Sequence, residues 1–355
     1  MQTDSIESGF LSIFLLITFF VFLIISKYSY KFDNGMLLDE DFSKPQAFHN
    51  EAISRSGGLA SFVSLFIFFL INYALFSKIF YEYIFISSSL FFLGYLDDIK
   101  IKIKPVARLA FMIVSLVILI TFLPVEINNI DLIFLNEWLE IKFISIFFVL
   151  LCFLFIVNGS NLIDGFNGLL AINLIIINSV LLFINLNNNQ VEFSFFLTAQ
   201  IMILITFLMF NFPKAKIFFG DSGSYLFGSL IALNVISTNN LSPDISSFFF
   251  CILLFYLFFE VFFSFVRKLS QKKSPFLPDQ SHLHMLCYKK IFNFFGPKNS
   301  NYMTSIIINL SYLIFITPSI FFLENDLFCK YWFFLLIFLY LFIYLYFKKT
   351  LKSQV

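Results

Sequence analysis

The chain has 355 residues, 59% hydrophobic and only 13% charged, with a net charge of +1 and a mean hydropathy of +0.90. Soluble domains are nearer half apolar and a quarter charged, so this composition excludes a soluble enzyme, a disordered chain and a nucleic-acid-binding domain. It describes an integral membrane protein with short loops. The 58 phenylalanines read as a bias within that class, because lipid accepts Phe, Leu and Ile about equally.

In chain order, apolar runs lie near residues 9–26, 59–76, 79–96, 106–124, 141–157, 168–186, 193–211, 217–237, 245–266, 303–323 and 330–347. Each approaches the ~20 residues that a helix needs to cross a bilayer. None shows the alternation of a membrane β-strand. The expected fold is an all-α polytopic membrane protein of about 11 transmembrane helices, forming one domain over residues 1–355. The loops at 27–58, 97–108, 158–167, 211–220 and 267–302, with the C-terminus, then share one face. That face holds all but Lys78, Lys142 and Lys330 of the 23 Lys and Arg residues. Basic loops stay in the cytoplasm, which predicts an N-terminus outside and a C-terminus inside. The first run lacks the basic leader of a cleaved signal peptide. Cys152, Cys251, Cys287 and Cys329 form neither a disulfide framework nor a CxxC metal spacing.

The scarce polar chemistry sorts onto the same face. Asp97-Asp98 closes the third run, and adjacent carboxylates there need solvent, a partner or a cation. Lys100, Lys102 and Lys104 follow, either as positive-inside anchors or as a surface for lipid phosphate. The segment Asn158 to Leu169 places Asn158, Asn161 and Asp164 along one helical face, with Gly165 and Gly168 allowing a sharp turn or a close ligand approach. Amide and carboxylate oxygens together suit a hard cation. Asp221 lies in Gly220-Asp221-Ser222-Gly223-Ser224 just inside the eighth run. An ionisable group at that depth is functional by default, and free backbone N–H groups beside a carboxylate suit Mg²⁺ and phosphate. The longest loop holds His282 and His284, after Lys272 and Lys273. No third ligand completes a zinc site, so an anionic or carbonyl ligand fits the pair as well. Glu260, inside the ninth run, reads as structural support.

Together these segments resemble the polyprenyl-phosphate N-acetylhexosamine-1-phosphate transferase family, over nearly the whole chain. Ser54-Arg55-Ser56-Gly57-Gly58 resembles the family's Pro-Arg-x-Gly-Gly, in a match that begins at His49, and Asp97-Asp98 its acidic pair. Asn158 to Leu169, Asn211 to Ser224, and Lys273 to His284 resemble its three longer signatures. Asn167, Gln280 and Met285 stand where Asp, Arg and a further His are frequent. The resemblance is nearest to the branch that moves GlcNAc 1-phosphate onto undecaprenyl phosphate.

That resemblance implies a reaction in which a UDP-N-acetylhexosamine donates its sugar 1-phosphate to undecaprenyl phosphate and UMP leaves. This would be the first membrane step of an envelope polysaccharide, on the cytoplasmic side of the bacterial inner membrane. It implies Mg²⁺, or Mn²⁺, on Asp221 and Asn161. It implies that Asp97 and Asp98 orient or deprotonate the lipid phosphate, and that Asp164 organises the uridine side. The phosphate's second pKa is near 6, so a strong base is not obligatory. Arg55, Asn158, Asn167, Lys216, His282 and His284 are the expected substrate contacts, and a homodimer is expected. Two alternatives stand beside this reading: a phospho-MurNAc-pentapeptide transferase, and a secondary transporter, which would need inverted repeats and midplane charges.

Overall fold

The computed structural model describes residues 2–30, 37–40, 52–101, 103–123, 125–275 and 279–352. Its helices are α1 (Gln2–Ser29), α2 (Gly57–Phe76), α3 (Tyr81–Asp98), α4 (Pro105–Phe122), α5 (Ile133–Leu139), α6 (Lys142–Ile163) and α7 (Leu169–Asn187). They continue with α8 (Val191–Asn211), α9 (Gly220–Leu241), α10 (Ser247–Leu253), α11 (Phe255–Ser270), α12 (Leu283–Phe321) and α13 (Asp326–Lys352). A short antiparallel ladder pairs β1 (Leu38–Asp39) with β2 (Ile53–Ser54), Leu38 opposite Ser54. The protein is an all-α, multi-pass membrane protein. His49, Lys102 and the Phe276-Leu277-Pro278 stretch lie outside the described residues.

Among the described residues, eight helices are long and apolar enough to cross a membrane, or nine if α10 and α11 form one bent span. The two remaining apolar runs fall on α3 and α9. α3 carries Glu82, Asp97 and Asp98, and α9 is rich in Gly, Ser and Asn. α9 tolerates that polarity because lipid does not touch most of it. It packs against α2, α3, α6 and α7, and every residue from Ser222 to Ile236 is buried.

Aromatic packing holds the outer helices to this centre. Phe62 of α2 stacks on Phe91 of α3 with centroids 4.0 Å apart, and Phe68 of α2 meets Phe10 of α1 and Phe195 of α8 within 6 Å. Buried amides add a second device. Asn234 of α9 donates to Asn178 of α7 at 2.9 Å and to Gln200 of α8 at 2.8 Å. Such bonds between helices matter in a medium that offers the amide no other partner.

Two stretches differ from the straight spans and loops expected. The run 245–266 bends by 76° between α10 and α11, with no Pro or Gly at the break. Both halves are anchored separately. Asp131 accepts from the Ser246 hydroxyl at 2.6 Å and the Ser247 N–H at 2.7 Å, at the start of α10. α11 rests so closely on α6 that a Cβ on Gly159 would lie 2.2 Å from the Leu257 carbonyl oxygen. The stretch counted as loop up to residue 302 is helical from Leu283. Every residue from His282 to Cys287 is buried while Lys289 is exposed, so protein encloses the start of this piece, which is too short to read as a span. Gly296, at φ 68° and ψ 173°, separates this piece from the membrane half of α12.

Candidate active site

α9 begins at Gly220, whose φ of +75° is a left-handed turn that glycine adopts without a Cβ clash. A Cβ there would lie 2.6 Å from the Asp98 carboxylate. Asp98 uses the space. Its two oxygens accept the N–H groups of Asp221 at 3.0 Å and Ser222 at 2.9 Å. The first N–H groups of a helix lack internal partners and form the positive end of its dipole. A carboxylate can therefore lose its water here, and Asp98 is only 1% exposed. One turn earlier, Gly94 lets α3 touch α9, since a Cβ would sit 2.4 Å from the Asp221 carbonyl oxygen.

Two guanidiniums meet these acids. The strand end of β2 lies along the segment before α9: the Phe218 N–H donates to Ser54 O at 2.7 Å, and the Gly57 N–H to Phe218 O at 2.9 Å. That pins Arg55 beside Asp98, with Nη1 3.9 Å from Oδ1, while Nη2 donates to Asp39 at 2.7 Å. Burial works against the Arg55 charge, but Asp39, Asp98 and Asp221 outweigh it and raise its pKa. Arg108, in the first turn of α4, donates to Asp97 and, at 2.7 Å, to Asp221. A single nitrogen, Nη1, thus bridges acids from α3 and α9 and ties the two helices together.

α6 brings the amide side of the pocket. Asn161 donates through Nδ2 to the Ser224 hydroxyl at 3.1 Å, which donates in turn to the Asp221 carbonyl at 3.1 Å. Asp164 follows the helix end. Loss of water, then the charges of Asp221 and Asp98, push its carboxyl pKa up to about 8. The pocket therefore gathers more carboxylates than guanidiniums. Among the described residues no three His, Cys, Asp or Glu side chains are grouped as a metal cage. Mg²⁺ does not require one, because it keeps several waters and takes one or two carboxylates plus phosphate oxygens. The donor set of Asp221 and Asn161, in an acid-rich pocket, has the chemistry for such an ion.

The histidines form a second cluster. His282 is 3% exposed and His284 is fully buried. Their rings stack 5.5 Å apart at an interplanar angle of 4°. His282 Nδ1 lies 3.0 Å from Glu260 Oε1 and His284 Nδ1 lies 3.2 Å from the Tyr256 hydroxyl. Burial lowers the His284 pKa to about 3, so this ring is neutral. Its edge meets the Phe166 ring at 5.8 Å, two residues past Asp164. The turn before the histidines is fastened by Arg267, whose Nη1 lies 2.6 Å from Asp279.

The structure thus brings Arg55, Asp97, Asp98, Asn161, Asp164 and Asp221 together, with His282 and His284 joined to them through the Asp164–Phe166 turn. Three expected contacts point elsewhere. Asn158 donates to its own helix at Leu154 O (2.7 Å) and faces Met112 Sδ. Asn167 donates through Nδ2 to Pro213 O at 2.9 Å. The Lys216 side chain is exposed, and its carbonyl accepts from Tyr30. Sequence reasoning passed over Arg108 and Asp39. An arginine in the first turn of a membrane helix was a usable signal, since it must find a partner; Asp39 carried none.

Fold and site define a polytopic membrane protein with an acidic, arginine-bridged pocket at one end of its central helix. The profile of glycosyl transferase family 4 matches residues 79–239, which spans α3 through most of α9. The chain is 30% identical over 281 residues to the undecaprenyl-phosphate α-N-acetylglucosaminyl 1-phosphate transferase of Thermotoga maritima, covering 78% of this chain and 80% of that one. It is 29% identical to a probable undecaprenyl-phosphate N-acetylglucosaminyl 1-phosphate transferase of Bacillus subtilis, covering 66% of each. It is 30% identical to the phospho-N-acetylmuramoyl-pentapeptide-transferase of Dictyoglomus turgidum, over 70% of this chain and 81% of that one. The chain belongs to glycosyl transferase family 4. It is an enzyme of the phosphosugar-transferase kind, which retires the transporter alternative.

Proposed function

We propose that the protein transfers N-acetylhexosamine 1-phosphate, with GlcNAc as the sugar, from a UDP-sugar to undecaprenyl phosphate and releases UMP. The observation that carries this reading is the carboxylate cluster at the start of α9, where Asp98 caps the helix and Arg108 ties Asp97 to Asp221. Two phosphate-bearing substrates repel each other, so catalysis needs positioning and charge compensation more than covalent chemistry. Arg55 and Arg108 supply fixed positive charge. The α9 N-terminus and Asp98 set the pocket's geometry, and Asp97 with Asp98 orients the lipid phosphate or accepts its proton. Asp164 organises the uridine side, and Asn161 and Asp221 would hold Mg²⁺. When bound, that ion neutralises phosphate charge as it develops.

The eleven-span arrangement belongs to the same proposal, with the N-terminus outside, the C-terminus cytoplasmic and the pocket on the inner face of the bacterial cytoplasmic membrane. The basic asymmetry supports it, as does the burial of α9, which explains why that helix is short of apolar residues. A homodimer and a role early in envelope polysaccharide synthesis complete the reading. A UDP-MurNAc-pentapeptide donor is the second reading, because relatives of that name also match. Membranes containing the protein, undecaprenyl phosphate and a panel of radiolabelled UDP-sugars test both. Label should enter the lipid from UDP-GlcNAc, with UMP released. Transfer only from the pentapeptide donor selects the second reading, and transfer from neither overturns both. In the same assay Asp221→Asn should abolish the Mg²⁺-dependent signal; normal turnover would remove Asp221 from the metal site.

A further inference from the structure

Glu260 lies on α11, 1% exposed, and both of its carboxylate oxygens have hydrogen-bond partners. Oε1 faces His282 Nδ1 at 3.0 Å and accepts the Leu283 N–H at 3.2 Å. Oε2 accepts the Tyr340 hydroxyl of α13 at 2.6 Å. A buried carboxylate without partners is costly, and here three donors from α12 and α13 converge on one. An ionised Glu260 can only accept, so the hydrogen it shares with His282 sits on Nδ1, and Nε2 becomes the ring's outward atom. The second ring repeats the arrangement. Tyr256 stands four residues before Glu260, on the same side of α11, and it meets His284 at Nδ1. His284 Nε2 is buried and has no partner. α11 therefore grips two parallel rings by the same nitrogen, and both present Nε2 as the free end.

We propose that Glu260, braced by Tyr340, is a positioning residue of the transfer reaction: it fixes the tautomer and angle of His282 so that Nε2 meets the donor. The inference rests on the expectation that His282 is a substrate contact, here taken as a contact to the UDP-sugar donor, and deepens it. Glu260 itself touches no substrate. Its action runs through the imidazole, as an outer partner does for a ligating histidine, where losing the partner typically costs about 10–100-fold.

The test is a double-mutant cycle in membranes with UDP-GlcNAc and undecaprenyl phosphate. Glu260→Gln keeps an oxygen facing His282 and Leu283 but removes the negative charge that holds the hydrogen on Nδ1, and should lower turnover about 10–100-fold. The same change on a His282→Asn background should lower it no further, because residues acting as a unit are not additive. An equal loss on both backgrounds would mean that Glu260 merely supports the fold, and overturns the proposal; so would wild-type turnover in Glu260→Gln. If that variant does not accumulate in membranes, Tyr340→Phe reads the same relay, with a severalfold loss that vanishes on the His282→Asn background. An additive Tyr340→Phe loss also overturns it. Unchanged turnover in His282→Asn alone would instead sink the donor-contact reading beneath it.

Discussion

α9 and α4 belong to the same bundle and meet through Arg108, yet have opposite compositions and opposite surroundings. α4 is highly apolar, yet only Met112, Leu116 and Ile120 are buried, spaced one turn apart on a single face. Val106, Phe111, Val114, Ile118 and Phe122 are at least half exposed. α9 carries Gly, Ser and Asn at short intervals and is buried from Ser222 to Ile236. A soluble protein would reverse the assignment. In lipid the apolar surface is free to face outward, while polar and small residues go inside, where backbones approach closely and amides find partners. The comparison explains why the site sits where it does: α9 is the helix on which a carboxylate and its bare N–H groups can be enclosed by protein.

The comparison breaks most visibly at Asp98. Asp98→Asn turns one carboxylate oxygen into an N–H₂ facing a backbone N–H of α9, and it removes the charge from the helix's positive end. An unsatisfied buried donor costs ~1–3 kcal/mol, more when a charge is involved. Turnover should fall at least about a hundredfold, equivalent to ~2.7 kcal/mol, and thermal stability in detergent should fall with it. Both are measured on one preparation. Unchanged turnover would reduce Asp98 to a helix cap and move the chemistry elsewhere.

The next effect tests how tightly α9 is held. Gly94→Ala on α3 introduces a methyl where the Asp221 carbonyl already stands, and backbone cannot rotate away as a side chain can. Overpacking of this kind costs about 1–3 kcal/mol. Because the displaced residue is Asp221, turnover should drop about tenfold or more, since small misplacements of reacting groups are costly. A stable, fully active Gly94→Ala protein would show that α3 and α9 are not closely packed in the working enzyme.

Much of this was legible in the residues. Asp97, Asp98, Asn161, Asp164 and Asp221 could be picked out because charges and amides are scarce in this chain, and their common face followed from the basic loops. The helices under the eleven apolar runs were legible for the same reason. What composition hid was direction and partner. The break between α10 and α11 has no Pro or Gly to announce it. Nothing in a lone Glu260 says that it will meet a histidine 22 residues later, because that contact depends on the α11–α12 turn folding back. Asn158 shares a helical face with Asn161 by spacing, yet its amide bonds back to Leu154; local hydrogen bonding overrode the pattern.

The smallest expected effect belongs to α4. Phe111 is 58% exposed and faces away from the buried stripe of Met112, Leu116 and Ile120. If lipid covers it, Phe111→Leu exchanges one lipid-compatible side chain for another, since the two differ little in their preference for a bilayer. Stability should stay within about 0.5 kcal/mol and turnover should equal wild type, measured in native membranes and again in detergent. A clear loss in membranes would mean that protein covers this face, and the contrast between a buried α9 and a lipid-bathed α4 would then hold only for the isolated chain. Crosslinking through a cysteine at position 111 separates the cases: a covalent dimer is expected only if a second copy packs there.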